Sequence, residues 1–171
     1  MARERAQWLK EMLLKEAEVR GKEARERLEQ YFREGEMWGS VKPPIEKEVE
    51  VGGRRLKVRI EEVEAGVERG GTKEHFVVRA RAKASDAEKE AAVKKEVRFY
   101  KARDGAAMGY VNIHAGAEGG READYARTAA LLKALGIEKW SRKEKQILLK
   151  GGALDALMRL EPVCRALGLC R

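Results

Sequence analysis

The chain has 171 residues, of which 43% are hydrophobic and 39% are charged. This balance excludes a disordered chain, and no apolar run approaches the ~18 residues that a membrane-spanning helix requires. The start, "MARERAQWLKEMLL", has neither an apolar signal-peptide core nor a cleavage site. We therefore expect a cytoplasmic protein without a membrane partner.

Positive charge is concentrated in the C-terminal part of the chain. Residues 1–70 contain 16 basic and 16 acidic residues, whereas residues 71–171 contain 21 and 13 and so carry the whole net charge of +8. Asn and Gln are scarce, which is typical of hyperthermophile proteins with balanced ion-pair networks. A segment with uncompensated positive charge instead suggests an anionic partner.

Residues 3–35 are predicted to form a long helix, because apolar residues recur there at helical spacing. Several Glu residues precede a Lys or Arg by four positions, and each such pair adds roughly 0.2–0.5 kcal/mol to an exposed helix. We therefore divide the chain into a helical region, 1–38, and a basic domain, 39–171. The apolar stripe thins to alanine near Gly21, so the helix is expected to dock on the domain or to pack on a partner, including a second copy in a homodimer.

The first part of the basic domain is predicted to contain mostly strands. Gly52-Gly53 is the expected tight turn of a hairpin that spans residues 46–65, and residues 74–84 form a third strand. Residues 85–94 are either a polar loop or a helical turn capped by Ser85. A second hairpin covers residues 93–115.

Two helices and a third hairpin are predicted in the remaining chain. Residues 118–135 and 152–167 have helical patterns, and residues 139–150 form the hairpin between them. Pro162 should kink or end the last helix. The predicted fold class is α+β: a mostly antiparallel sheet with helices on one face and a long N-terminal helix.

The strands alternate apolar and basic residues, which predicts one sheet face against the helices and one basic face. Such a face can track phosphates, and its tyrosines can stack unpaired bases. The predicted nucleic-acid-binding residues are Lys57, Arg59, Arg79, Arg81, Lys83, Lys94, Arg98, Tyr100, Tyr110, Asn112, Arg142, Lys143 and Lys145. Two alternatives stay open: an acidic protein partner, or a solvated face whose arginines pair with Glu61, Glu62 and Glu96.

The stretch "GYVNIHAGAEGGREADYARTAALLKALGIEKW", together with "GGALDALMRLEPVC", resembles the second class of PaRep proteins. These are paralogous repeat proteins of hyperthermophilic crenarchaea. The resemblance implies a hyperthermophilic archaeal source and supplies no function.

The order helix, "LGI", strand, strand, helix resembles half of a LAGLIDADG homing-endonuclease unit. Those enzymes lay a basic sheet along the DNA major groove and bind Mg²⁺ through a carboxylate at the end of the first helix. The corresponding residue here would be Glu34, which lacks the small packing residues of the motif. The resemblance implies DNA binding and offers an endonuclease as the enzymatic alternative.

Other candidate sites are weaker. His75 and His114 have no Cys or acidic neighbour at metal-ligand spacing, and "GAEGGR" lacks the known phosphate-loop patterns. Cys164 and Cys170 could remain free thiols or form a disulfide. We therefore predict no catalytic residue, metal or cofactor. Nucleic-acid binding, with DNA favoured, is the leading function, and a protein-interaction module dimerising through residues 3–35 is a further alternative.

Overall fold

The structure, a computed structural model, describes residues 38–70, 73–103, 107–166 and Cys170. The predicted helix over residues 3–35, with Glu34 at its end, lies outside the described residues. The turn of the predicted hairpin over residues 93–115, which the sequence "RDG" at Arg103-Asp104-Gly105 indicates, lies partly outside them too.

Seven strands of the described chain form one antiparallel sheet in the order β1-β2-β3-β4-β5-β7-β6. They are β1 (Ile45–Val51), β2 (Arg54–Gly70), β3 (Lys73–Ser85), β4 (Glu90–Lys101), β5 (Ala107–Asn112), β6 (Ser141–Arg142) and β7 (Gln146–Lys150). Gly52 and Gly53 join β1 to β2 with φ angles of 58° and 78°, which glycine adopts without strain. This confirms the predicted hairpin turn.

Strand β2 is longer than predicted and contains a bulge. Its pairing with β3 shifts between Ile60 and Glu62, so Glu61 is the extra residue. The bulge moves the inward-facing positions from even to odd numbers, because Ile60 and Val63 are both buried. The apolar side of β2 therefore stays on one face along its whole length.

The segment between β3 and β4 is a tight loop, as one of the two predicted alternatives has it. Asp86 Oδ1 accepts hydrogen bonds from the backbone N–H groups of Glu88 and Lys89 at 2.9 and 2.8 Å. These bonds lower the pKa of the Asp86 carboxyl below its ordinary value. Asp86, and not Ser85, caps this turn.

Three helices occur in the described residues: α1 (Gly120–Ala134), α2 (Gly152–Met158) and α3 (Glu161–Ala166). The single helix predicted over residues 152–167 is thus interrupted at Arg159 and Leu160. Pro162 lies in the first turn of α3, where its missing N–H removes no helical hydrogen bond. The prediction that Pro162 interrupts the helix is confirmed.

The helices pack on the apolar face of the sheet and share one core with it. Helix α1 contacts β1, β2, β3 and β4, and the sheet curls into a half-barrel. The largest fully buried side chains are Phe76, Phe99, Ile60, Leu131, Leu132, Ile147, Leu149, Leu154, Leu157 and Met158.

The predicted α+β fold class is wrong for the chain that the structure describes. The described chain is dominated by the curled antiparallel sheet, and its longest helix, α1, has 15 residues. The sequence analysis underestimated the strand content, because β2, β3 and β4 are long. It overestimated the helix content, because the helix predicted over residues 152–167 is two short helices. Within the described residues, no helix has the length and apolarity to cross a membrane.

A buried ion pair fixes α1 to the sheet. Lys95 lies on the apolar face of β4, and its Nζ donates to Asp124 Oδ2 at 2.7 Å and to the Asn112 carbonyl at 3.0 Å. Burial opposes ionisation of Asp124, but the His114 N–H and Lys95 outweigh it, so the pKa of Asp124 is lowered. Breaking one partner of such a pair costs about 3–5 kcal/mol, so this contact positions α1 strongly.

Candidate nucleic-acid interface

The sheet face opposite the helices carries most of the predicted binding residues, as the alternation indicated. Lys57, Arg59, Arg79, Arg81, Lys83, Lys94, Arg98, Tyr100, Tyr110 and Asn112 lie on it, as shown by the strand pairing and the burial of the intervening residues. Val58, Val78 and Phe99 lie on the opposite face and are fully buried. We call the surface with the basic residues the polar face.

Two arginines and two glutamates on the polar face form a closed ring of ion pairs, which we call the ring cluster. Arg79 pairs with Glu68, and its Nε lies 2.6 Å from Glu96 Oε1. Arg98 lies 3.1 Å from the same Glu68 and 3.2 Å from the same Glu96. Each arginine thus contacts both carboxylates, and the cluster has no net charge.

The ring cluster shifts the ionisation of its carboxyl groups. The hydrogen bond from Arg79 holds the pKa of Glu68 below its ordinary value. Burial acts against ionisation of Glu96, but hydrogen bonds from Arg79 and Arg98 lower its pKa overall. Both glutamates therefore remain charged partners of the arginines near neutral pH.

A second group of ion pairs surrounds the bulge of β2, and we call it the bulge cluster. Arg81 lies 3.0 Å from Glu62 and 3.8 Å from Glu61. Lys83 lies 3.7 Å from Glu61 and 3.9 Å from Glu90. The bulge thus places an extra carboxylate between two predicted binding residues.

The ring cluster and the bulge cluster together make up what we call the paired half of the polar face. Such exposed pairs are individually weak, yet a phosphate would have to displace carboxylates from each arginine. Arg59, nearby, lies 3.2 Å from Glu46. In this half, the structure matches the alternative of a solvated face whose arginines pair with glutamates.

Outside the paired half, the polar face carries five residues of β4, β5 and β7 that we call the tyrosine half: Lys94, Tyr100, Tyr110, Asn112 and Lys150. The rings of Tyr100 and Tyr110 are 6.2 Å apart at an interplanar angle of 58°. Asn112 is exposed and accepts a hydrogen bond from Gln146 Nε2 at 3.2 Å. Lys94 and Lys150 are exposed and form no ion pair with a described residue.

A shallow depression of about 370 Å³ adjoins the tyrosine half. It forms below the Arg98–Tyr110 pair, where the ladder between β4 and β5 ends. Its lining combines residues of the tyrosine half and of the ring cluster with two further side chains: Lys94, Tyr110, Asn112, Arg79, Glu96, Arg98, Lys95 and His114. A phosphate or the polar edge of a base could approach Lys94 there.

Three further predicted residues lie in the β6–β7 hairpin. Lys143 and Lys145 are exposed in its turn and form no ion pair with a described residue. Arg142 lies elsewhere than expected: its guanidinium stacks 3.8 Å from the ring centre of Tyr125 in α1 and pairs with Glu122. The expectation that Arg142 extends the basic surface outward is therefore corrected.

Sequence reasoning missed two residues of this face, Lys150 and Glu68, and the buried Lys95 on the opposite face. Lys150 shares a face with Gln146 and Leu148, and their alternation with buried Ile147 and Leu149 was the available signal. Glu68 was missed because β2 was expected to end near Ala65. The burial of Lys95 could have been suspected, because it lies between Val93 and Val97 on the apolar side of the strand pattern.

The histidines and cysteines considered in the sequence analysis do not form a metal site or a disulfide in the described chain. No group of three or more His, Cys, Asp or Glu residues that could hold a metal occurs among the described residues. The His75 ring lies edge-on to Tyr100 at 6.2 Å, on the polar face. Cys164 and Cys170 are free thiols. The endonuclease and dimerisation hypotheses depend on residues 3–35, outside the described chain.

No protein-family model matches this chain, and neither a curated protein nor a solved structure shows significant similarity to it. The resemblances to PaRep proteins and to LAGLIDADG endonucleases stay expectations from the sequence.

Proposed function

We propose that this protein binds nucleic acid without catalysis and that the tyrosine half of the polar face is its contact surface. The observation that carries the proposal is the proximity of Tyr100 and Tyr110, with the exposed Lys150 in the same cross-strand row as Tyr100 and the exposed Lys94 in the depression that Tyr110 lines. Aromatic rings beside unpaired cations are the combination that proteins use to hold single-stranded nucleic acid.

The charge distribution supports this half over its neighbour. The ring cluster is neutral, so it contributes nothing to the net charge of +8. Lys94, Lys143, Lys145 and Lys150 carry charge without an ion-pair partner among the described residues. Each lysine that neutralises a phosphate releases a condensed counterion, which favours binding at low salt.

The tyrosines and the lysines of the tyrosine half would contact different parts of the nucleic acid. Tyr100 and Tyr110 offer π-faces to unpaired bases of any sequence, so their contribution favours single strands. The lysines hold the backbone, and Asn112 offers its amide to a base edge or phosphate. We therefore propose single-stranded DNA or RNA, or unpaired segments in a duplex, as the ligand class.

Fluorescence anisotropy with labelled single-stranded and duplex oligonucleotides of the same length tests the proposal. We expect tighter binding to the single strand and a linear fall of log affinity with log salt concentration. Absence of binding to all oligonucleotides at about 50 mM salt would refute the proposal, because electrostatic contacts are strongest there.

A further inference from the structure

Residues Trp38–Val41 form a short strap across the α2–α3 junction, where residues 1–37 join the domain. The Gly39 and Val41 N–H groups donate to the carbonyls of Met158 and Arg159 at 3.1 and 2.9 Å. The Val41 carbonyl accepts the N–H of Glu161 at 2.8 Å. Three backbone hydrogen bonds thus hold the strap against the α2–α3 junction.

Two cysteines lie against the strap at Gly39. A side-chain Cβ at this glycine would lie 3.1 Å from both the Cβ and the Sγ of Cys170, and 3.4 Å from the Cβ of Cys164. Gly39 also has a φ angle of 72°, so a glycine fits both the backbone and the space. Cys170 Sγ and Cys164 Cβ therefore lie side by side against the same glycine.

The two thiols differ in their access to reagents. Cys164 belongs to α3 and is fully buried, whereas Cys170 is half-buried and follows α3 by a few residues. Both are free in the structure. An oxidant from solution would therefore meet Cys170 first and find Cys164 directly behind it.

We propose that Cys164 and Cys170 are a redox-responsive pair that closes to an intramolecular disulfide over the Gly39 strap when a low-molecular-weight disulfide is present. The Cys170 thiolate attacks one sulfur of the oxidant, forming a mixed disulfide and releasing one thiolate. Cys164 then loses its proton and attacks Cys170 Sγ, which displaces the second thiolate. Two protein thiols are oxidised and one oxidant disulfide is reduced to two thiols.

The second step should limit the rate at neutral pH. Burial and the neighbouring Cys170 raise the pKa of the Cys164 thiol above its ordinary value. Because the thiolate is the nucleophile, closure should accelerate as pH rises. The disulfide would link Cys164 of α3 to Cys170 beside Gly39 of the strap.

Incubation of the full chain with oxidised glutathione, followed by intact-mass measurement, tests this proposal. We expect a monomer lighter by two hydrogen atoms, no titratable thiol after denaturation, and recovery of both thiols on reduction. The oxidised form should melt several degrees higher, because a closed loop restricts the unfolded chain.

Cys164→Ala supplies the matched control, because Cys170 then has no second thiol to resolve the adduct. This variant should retain one glutathione per chain, whereas the wild-type chain should retain none. Two titratable thiols after oxidation, a lasting glutathione adduct on the wild-type chain, or a disulfide-linked dimer would each overturn the proposal. The wild-type mass decides this even where the variant does not fold.

Discussion

The paired half and the tyrosine half of the polar face both contain cations but differ in what those cations contact. Arg79 and Arg98 each contact two carboxylates, whereas Lys94 and Lys150 contact none among the described residues. A phosphate gains most where it replaces water rather than an existing carboxylate partner. A basic residue on a sheet face is thus a candidate ligand for phosphate only after its ion pairs are known.

Removing both tyrosine rings should have the largest effect on binding. We expect the Tyr100→Leu/Tyr110→Leu variant to lose about 1–3 kcal/mol per stacked base for single-stranded oligonucleotides, and less for duplexes. Anisotropy titrations measure the change. Tyr100→Phe/Tyr110→Phe keeps the rings and should bind like the wild-type chain.

The matched control is Tyr125→Leu, because Tyr125 lies on α1 and contacts Arg142 and Trp140, away from the polar face. Its single-strand affinity should be unchanged while its melting temperature falls. An equal loss of affinity in this variant would contradict the assignment of the tyrosine half.

The two halves also differ in how far the sequence could predict them. Alternation placed Arg79 and Arg98 on the correct face, and Gly52-Gly53 marked the first hairpin. Their pairing with Glu68 was missed, because it depends on the strand order and on the bulge at Glu61. In β2, the change from even to odd inward positions was a signal for that bulge.

The curled sheet and the short C-terminal helices were less predictable. The helical spacing continues through residues 152–167; Pro162 marks the interruption, but the end of α2 at Met158, where the strap donates to the carbonyls of Met158 and Arg159, is not visible in the local pattern. The pairing of β5 with β7 is a long-range contact that local patterns do not specify. Tyr100 and Tyr110 were predicted to share the basic face because each alternates with the apolar residues of its own strand. Their 6.2 Å separation depends on the register of β4 with β5, which the sequence does not specify.

Releasing the arginines of the ring cluster should convert the paired half into a binding surface. In Glu68→Gln/Glu96→Gln, Arg79 and Arg98 lose their carboxylate partners and become available to phosphates. We expect tighter binding and a salt slope steeper by up to about 1.4 for single strands. Salt-dependent anisotropy measures both.

Glu48→Gln/Glu138→Gln makes the same change in net charge at exposed residues without an ion-pair partner in the described chain. It should strengthen binding less and leave the slope nearly unchanged. If the two double variants behave alike, overall charge rather than release of arginines explains the gain.

Acid should destabilise the folded state through Glu68 and Glu96 of the ring cluster. Their folded pKa values lie below the ordinary value of 4.5, so their stabilisation is complete above that pH and is lost as pH falls through the folded values. Glu68→Gln/Glu96→Gln should therefore show a smaller drop in melting temperature between about pH 6 and pH 3. Parallel melting curves for the variant and the wild-type chain would show that the ring cluster contributes no pH-dependent stability.

The salt slope of single-strand binding tests the central claim most directly when two double variants with equal charge loss are compared. Lys94→Gln/Lys150→Gln should make the slope shallower by about 1.4, because each phosphate contact to a single strand contributes about 0.7. Arg79→Gln/Arg98→Gln should leave the slope close to the wild-type value, since these arginines already contact carboxylates. The contrary result, an unchanged slope in the lysine variant and a shallower one in the arginine variant, would place the phosphate contacts in the paired half and contradict this account.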